Sequence, residues 1–149
     1  MLYDFGRETF GYLKVRHLQG TIRVYYGESR EEALDVAHCK TLDVLTTPVS
    51  PDASSCPDVT ASSKAYRFVY IEKDPGASHG DVLMEYEYAP QDMNHSGTFR
   101  CSDDEINKIW DVAAYTMDLT TREFFMDGIK RDRWTWSGDA IQSYLMNYY

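Results

Sequence analysis

The sequence predicts an α+β protein, with an antiparallel, jelly-roll-like β-sandwich over residues 1–96 and a helical segment over residues 97–149. Two observations predict this class. Short segments before Gly97 alternate apolar and polar residues with a period of two, whereas those after Gly97 repeat at helical spacing. Connections rich in Pro, Ser, Asp and Gly separate the short strands, as is typical of a sandwich.

Three strands are predicted from this alternation, at 21–29, 65–73 and 82–90. In each, β-branched and aromatic residues occupy alternate positions. The first strand places one apolar set on one face: Ile22, Val24 and Tyr26. The second is predicted to separate its apolar residues into two sets, with Tyr66, Phe68 and Tyr70 on one face and Val69 and Ile71 on the other.

Two helices are predicted in the second segment. In "FRCSDDEINKIWDVAAYTMDLTT" (99–121), one face is predicted to carry Ile106, Ile109, Trp110, Ala113 and Met117. Ser102 and Glu105 have the spacing of a capping box, and the acids between them suit the positive end of the helix dipole. The second helix is predicted to begin around Ser137–Gly138, with Ser137 or Asp139 near its cap, and to run through "DAIQSYLMNYY". Two helices cannot enclose a core, so we expect a truncated chain.

Net charge, hydropathy and the spacing of cysteines and histidines argue against several kinds of partner. The net charge of −9 disfavours nucleic acid and anionic membranes as partners, because both attract basic proteins. No segment approaches the roughly 18 apolar residues of a membrane span. The three cysteines and four histidines are scattered without the spacing of metal ligands, so we expect no bound metal.

The stretch "DGIKRDRWTWSGDA" (127–140) holds the richest chemistry in the chain. It combines three aspartates, three basic residues and two tryptophans. Such a set could form a corner of mutually paired charges or a ligand site, and composition leaves both interpretations open. Carboxyl groups can hydrolyse a glycosidic bond when one acts as proton donor and a second acts opposite, and an indole face packs on a sugar ring.

This stretch resembles the signature of the bacterial α-L-rhamnosidases, glycoside hydrolase family 78, usually written D-C-P-x-R-(D)-E-R-x-G-W-T-G-D. Its first residue falls on Asp127, its arginine on Arg131, its tryptophan on Trp136 and its last aspartate on Asp139. Residues 3–15 and 24–29 resemble the family's β-sandwich segment, and residues 97–121 resemble the entry helix of its (α/α)6 barrel.

The resemblance implies a fold, an activity and a set of roles. Residues 97–149 would be the first helices of an (α/α)6 six-hairpin barrel, in an enzyme that removes terminal α-L-rhamnose from a glycan or glycoside without a cofactor. Asp132 falls where the family has its general acid, usually a glutamate, while Asp127 and Asp139 match carboxylates that bind rhamnose hydroxyls. Arg131 matches a substrate-contacting arginine, and Trp136 matches a wall of the sugar pocket. Gly128-Ile129 replaces the family's Cys-Pro.

Several expectations remain for this chain. The general base of an inverting enzyme lies far downstream in the family, and no carboxylate follows Asp139 here, so we expect the 149-residue chain alone to be inactive. We also expect self-association through exposed apolar residues of the helical segment. The alternatives are a non-catalytic carbohydrate-binding or interaction module using Trp134 and Trp136, and a six-hairpin glycosidase acting on another sugar. The compartment, whether bacterial cytoplasm, periplasm or exterior, is left open.

Overall fold

The structure, a computed structural model, describes residues 1–50, 56–87, 97–121 and 124–146. The chain divides into two compact units, Met1–Tyr88 and Ala89–Tyr149. The domain boundary predicted between residues 96 and 97 adjoins the stretch 88–96, which lies outside the described residues. The two units are therefore described separately.

The first unit is built on an antiparallel sheet of six strands. In chain order they are β1 (Leu2–Val15), β2 (Gly20–Gly27), β3 (Leu42–Thr47), β4 (Val59–Thr60), β5 (Lys64–Lys73) and β6 (Val82–Tyr86). The order across the sheet is β3-β2-β5-β1-β4, and β6 also pairs with β1. The predicted antiparallel β class is confirmed. Because the described strands form a single sheet, the two-sheet sandwich stays a prediction.

The core of this unit lies on one face of the sheet. Ile22, Val24 and Tyr26 are at most 1% exposed, so the face predicted for β2 is confirmed. Leu45 of the edge strand β3 and Met84 of β6 both pack against the same core. The sheet therefore curls around its apolar side chains, which removes them from water without a second layer of helices.

The predicted alternation of β5 is wrong at its start. Tyr66 is fully buried in the same core cluster as Val69, which the strict alternation placed on the opposite face. The pairing of β1 with β5 is irregular at the same place: Phe68 pairs with Asp4 of β1 whereas Tyr66 pairs with Thr9, so β1 carries extra residues between these two positions. Such an irregularity disturbs the regular pairing of the two strands, and period-two reasoning cannot locate it.

A short helix that the strand pattern did not predict follows β2. Helix α1 spans Arg30–Leu34, and the Ser29 hydroxyl caps it by accepting a hydrogen bond from the Glu32 N–H (3.1 Å). Ala33 of this helix is buried. A Cβ on Gly27 would lie 2.6 Å from the Ser29 carbonyl oxygen and from the Ala33 nitrogen, so only glycine permits this close turn. The strand consequently ends at Gly27 rather than at Ser29.

A polar cluster is buried among these apolar residues. The Tyr26 hydroxyl donates to Asp43 Oδ2 (2.7 Å), and Lys64 Nζ lies 2.7 Å from the same oxygen. The Lys64 ammonium also donates to the carbonyl and hydroxyl oxygens of Ser62, and it lies 5.1 Å from the centre of the Tyr26 ring. Burial, reinforced by the Asp43 carboxylate, raises the pKa of Tyr26 far above its ordinary value. Tyr26 therefore remains a hydrogen-bond donor, and the cluster is internally satisfied.

An ion pair on the surface of the first unit gives a prediction for acid conditions. Arg67 donates two hydrogen bonds to Asp4 (2.8 and 2.9 Å), and the Gly6 N–H donates a third (2.8 Å). The arginine, and next the Gly6 N–H, lower the pKa of Asp4 from 3.8 to about 2. A lowered pKa stabilises the fold above the unfolded value and loses that contribution as the pH falls through the folded value.

We therefore expect Arg67→Gln to flatten the loss of stability between pH 4 and pH 2, the window between these two pKa values. Urea unfolding of the first unit at several pH values measures this slope. Lys40→Gln removes one positive charge from an exposed position of the same unit and serves as control. The prediction fails if both variants keep the wild-type slope.

The second unit contains two longer helices, α2 (Asp104–Thr120) and α3 (Ser137–Met146). The predicted capping box at Ser102 is wrong, because Asp103 is the cap. Its carboxylate accepts hydrogen bonds from the N–H groups of Glu105 (2.9 Å) and Ile106 (3.3 Å). The last predicted residues of the second helix, 147–149, lie outside the described residues. No helix in the described ranges is long and apolar enough to cross a membrane.

The apolar face predicted for α2 is partly exposed. Ile106 is 46% exposed and Ile109 is 62% exposed, and Trp110 is half-buried where a core position was predicted. On α3, the side chains of Ile141 and Leu145 are also exposed. Exposed apolar surface of this kind is the basis on which self-association was predicted, and that prediction stands untested.

Candidate functional site

The stretch predicted to carry the chemistry forms the connection between α2 and α3. The start of this connection is held at the end of α2, because Met126 is buried and its N–H donates to the Thr120 carbonyl (2.9 Å). Thr121 and Phe125 form an isolated antiparallel bridge, and the Thr135 hydroxyl donates to the Phe125 carbonyl (3.4 Å). The contact between Phe125 and Thr135 brings the two ends of the connection together, so the residues from 126 to 134 form a closed loop.

Asp127 and Trp134 form the neck of this loop. The Asp127 N–H donates to the Trp134 carbonyl (2.9 Å), and the Trp134 N–H donates to Asp127 Oδ1 (2.9 Å). One carboxylate oxygen of a predicted sugar-binding residue is therefore used within the loop. We name residues 127–134, closed by these two hydrogen bonds, the acid loop.

The tip of the acid loop has an uncommon backbone. Asp132 and Arg133 have φ angles of 63° and 53°, in the left-handed region that residues other than glycine rarely adopt. The Arg133 N–H donates to the Arg131 carbonyl (2.8 Å), and its Nε donates to the Ile129 carbonyl (3.0 Å). Gly128 lies in the same loop, but its φ is not positive, so the left-handed residues of this loop are an aspartate and an arginine.

Three charged side chains of the predicted site have no charged partner in the part of the chain that the structure describes. Arg131, Asp132 and Asp139 are exposed, and within the described residues none of them forms an ion pair or a side-chain hydrogen bond. A corner of mutually paired charges was one interpretation of this stretch, and these three residues do not form it. Their charged groups remain available to a ligand.

Two indole rings accompany these charges. Trp134 is 65% exposed and Trp136 is 54% exposed, large fractions for tryptophan. The Trp136 carbonyl accepts the first hydrogen bond of α3 from the Ala140 N–H (2.8 Å), so Trp136 is the cap residue and the helix begins at Ser137, as predicted. Asp139 instead lies in the first turn of α3, where the helix dipole favours a negative charge.

The five predicted site residues are thus placed on two adjoining elements. Asp127, Arg131 and Asp132 lie on the acid loop, Trp136 lies just beyond it, and Asp139 lies on α3. Together they present carboxyl groups, a guanidinium and an indole face, which are the groups that bind sugar hydroxyls and sugar rings.

Sequence reasoning missed two features of the site. Arg133 was not assigned a role, yet its side chain bonds to the Ile129 carbonyl inside the acid loop. Nor was Asp127 expected to bind the Trp134 backbone. Neither contact has a signal in composition or spacing. Among the described residues, no group of three or more His, Cys, Asp or Glu side chains is placed to share a metal ion.

Comparison with known families gives two matches. Residues 1–71 match a domain described as alpha-rhamnosidase-like, bacteroidetes, N-terminal. Residues 94–149, which include all five predicted site residues, match the bacterial alpha-L-rhamnosidase 6 hairpin glycosidase domain. A comparison with curated proteins gave no match.

Proposed function

We propose, because this chain belongs to the bacterial α-L-rhamnosidases, that its acid loop supplies the proton-donating side of a site that hydrolyses terminal α-L-rhamnosides with inversion. In this proposal Asp132 is the general acid. Asp127, Arg131 and Asp139 bind the hydroxyls of rhamnose, and Trp136 forms one wall of its pocket. Residues 97–149 would be the first helices of an (α/α)6 barrel, preceded by a jelly-roll-like sandwich domain.

The observation that carries the proposal is that Arg131, Asp132 and Asp139 form no ion pair or side-chain hydrogen bond within the described residues, in a stretch where Trp134 and Trp136 are also exposed. Charged groups in a purely structural corner would be expected to pair with one another, because the stretch holds equal numbers of acids and bases. Exposed tryptophans cost hydrophobic free energy unless a ligand or another surface covers them.

The chemistry follows from these groups. The Asp132 carboxyl would give its proton to the glycosidic oxygen as the bond between this oxygen and the anomeric carbon breaks, so that the aglycone leaves as a neutral alcohol. A water molecule would attack the anomeric carbon from the opposite face and lose its proton to a second carboxylate, which yields L-rhamnose of inverted configuration. In inverting glycosidases these two carboxyl groups stand about 6.5–9.5 Å apart to make room for that water.

The second carboxylate is the part of this mechanism that we do not assign to the chain, because no acidic residue follows Asp139. We therefore expect the 149-residue chain to bind L-rhamnose without hydrolysing its glycosides. Binding would be weak, with a Kd of roughly millimolar order for so small a ligand. Titration of tryptophan fluorescence measures it, since two of the three tryptophans lie at the site.

The matched control ligand is D-rhamnose, the mirror image with identical composition. A response to L-rhamnose alone supports the proposal, and loss of that response in Asp139→Asn would place binding at this site. An equal response to both enantiomers would favour a general carbohydrate-binding module instead. Release of p-nitrophenol from its α-L-rhamnoside by the chain alone would contradict the expectation that the base is missing.

A further inference from the structure

We infer that Asp127 and Arg133 are positioning residues, which together hold Asp132 in a left-handed backbone conformation at the tip of the acid loop. The inference rests on the proposed function, because it concerns how the proposed proton donor is presented to substrate. It gives Asp127 a role within the loop besides its proposed contact with sugar, and it gives Arg133 a role where the sequence suggested none.

Asp127 closes the neck of the loop from both of its polar ends. Its N–H donates to the Trp134 carbonyl, and its Oδ1 accepts from the Trp134 N–H; each of these hydrogen bonds is 2.9 Å long. A hydrogen bond to a carboxylate is stronger than one between neutral groups, so the side chain contributes more to this closure than a backbone pair alone. The second carboxylate oxygen, Oδ2, has no hydrogen-bond partner among the described residues, so it could accept from a sugar hydroxyl.

Arg133 fixes the interior of the same loop. Its Nε donates to the Ile129 carbonyl (3.0 Å), which links its side chain to the opposite side of the loop. Its N–H donates to the Arg131 carbonyl (2.8 Å), and this hydrogen bond between residues two apart makes a tight turn around Asp132. These bonds compensate for the cost of two consecutive left-handed residues, a cost that persists only where the surroundings enforce it.

This geometry explains why the residue at position 132 is an aspartate where the resembled signature has a glutamate. Aspartate tolerates the left-handed region better than most residues, because its short polar side chain interacts locally with the backbone. The φ of 63° at Asp132 therefore favours the shorter acid. The loop, rather than a longer side chain, would then bring the carboxyl group to the glycosidic oxygen.

Amide hydrogen exchange of the ¹⁵N-labelled 149-residue chain tests the inference. We expect the Trp134 amide to be protected, and Asp127→Ala to speed its exchange by about tenfold or more, since the variant removes the acceptor. Asp127→Asn keeps an oxygen at the same position, so we expect it to retain most of this protection. The backbone ¹³C shifts of Asp132 should leave the left-handed range in Asp127→Ala and in Arg133→Leu, but not in Asp127→Asn.

The α2 amides report whether a variant disturbs only the loop. Unchanged α2 exchange with a faster Trp134 amide supports the inference, whereas an unaltered Trp134 amide and unaltered Asp132 shifts in Asp127→Ala would overturn it. If Asp127→Ala unfolds the helices, Asp127→Asn decides: a protected Trp134 amide supports the inference and an unprotected one overturns it. If the Trp134 amide is protected but the fluorescence response does not distinguish L-rhamnose from D-rhamnose, the proposed function is wrong and the positioning role still holds.

Discussion

Replacing Asp132 by asparagine is expected to lower kcat by about 10²- to 10⁴-fold, the range that a general acid contributes. The test enzyme is a fusion in which residues 94–149 are followed by the rest of a six-hairpin domain, including its general base. The amide keeps the size of the carboxyl group and tolerates the same left-handed backbone, but it has no proton to give. Steady-state hydrolysis of an alkyl α-L-rhamnoside measures the loss, because an alkoxide cannot leave without protonation.

The leaving group provides the internal control. p-Nitrophenolate departs with little help from an acid, so Asp132→Asn should retain far more of its activity on the p-nitrophenyl glycoside than on the alkyl glycoside. A variant that merely damages the fold would lose both activities in proportion. Equal losses on the two substrates would therefore remove Asp132 from the role of proton donor. Asp132→Glu is a second comparison, because it keeps the acid but fits the left-handed position less well.

The sequence predicted which stretch carries the candidate site residues, but not the contacts that hold this stretch in place. Asp127, Arg131, Asp132 and Trp136 were found from residue type and order, and all lie in one connection between two helices. The closure of the acid loop through the Trp134 backbone could not be predicted, since it depends on the path of the main chain rather than on side-chain identity. Likewise, the local hydrogen bonds of Arg133 that accompany the turn at Asp132 have no signal in the sequence.

The fold shows the same division. Period-two alternation was sufficient for β2, where every second residue faces the core. It failed at Tyr66, where the pairing with the neighbouring strand β1 is irregular, and that irregularity has no signal within the sequence of β5. Helix α1 did have a local signal, Ser29 three residues before Glu32, but the prediction assigned Ser29 to the end of the strand 21–29. Burial on α2 could not be inferred from spacing, because periodicity gives a face but not its partner.

Removing the carboxylate of Asp43 is expected to have the largest effect on stability of any single polar change in the first unit. Asp43→Ala leaves the Lys64 ammonium, only 10% exposed, without its counter-ion, and leaves the Tyr26 hydroxyl without an acceptor. Loss of one partner from a buried pair costs about 3–5 kcal/mol, and we expect the lower end because the Asp43 side chain is 21% exposed. Urea unfolding followed by the circular dichroism of the β unit measures this change in free energy.

Three further variants separate the effect of the buried cluster from a general effect of charge. Glu85→Ala breaks the exposed pair with Lys14 and should cost about 1 kcal/mol or less. Tyr66→Phe removes a buried hydroxyl that has no hydrogen-bond partner among the described residues, so it should cost less than Tyr26→Phe, which removes a donor from Asp43. All three tryptophans lie in the second unit, so their fluorescence follows that unit separately. If Asp43→Ala is no more destabilising than Glu85→Ala, the buried cluster does not stabilise the sheet, and the two hydrogen bonds to Asp43 merely offset the cost of removing the charges from water.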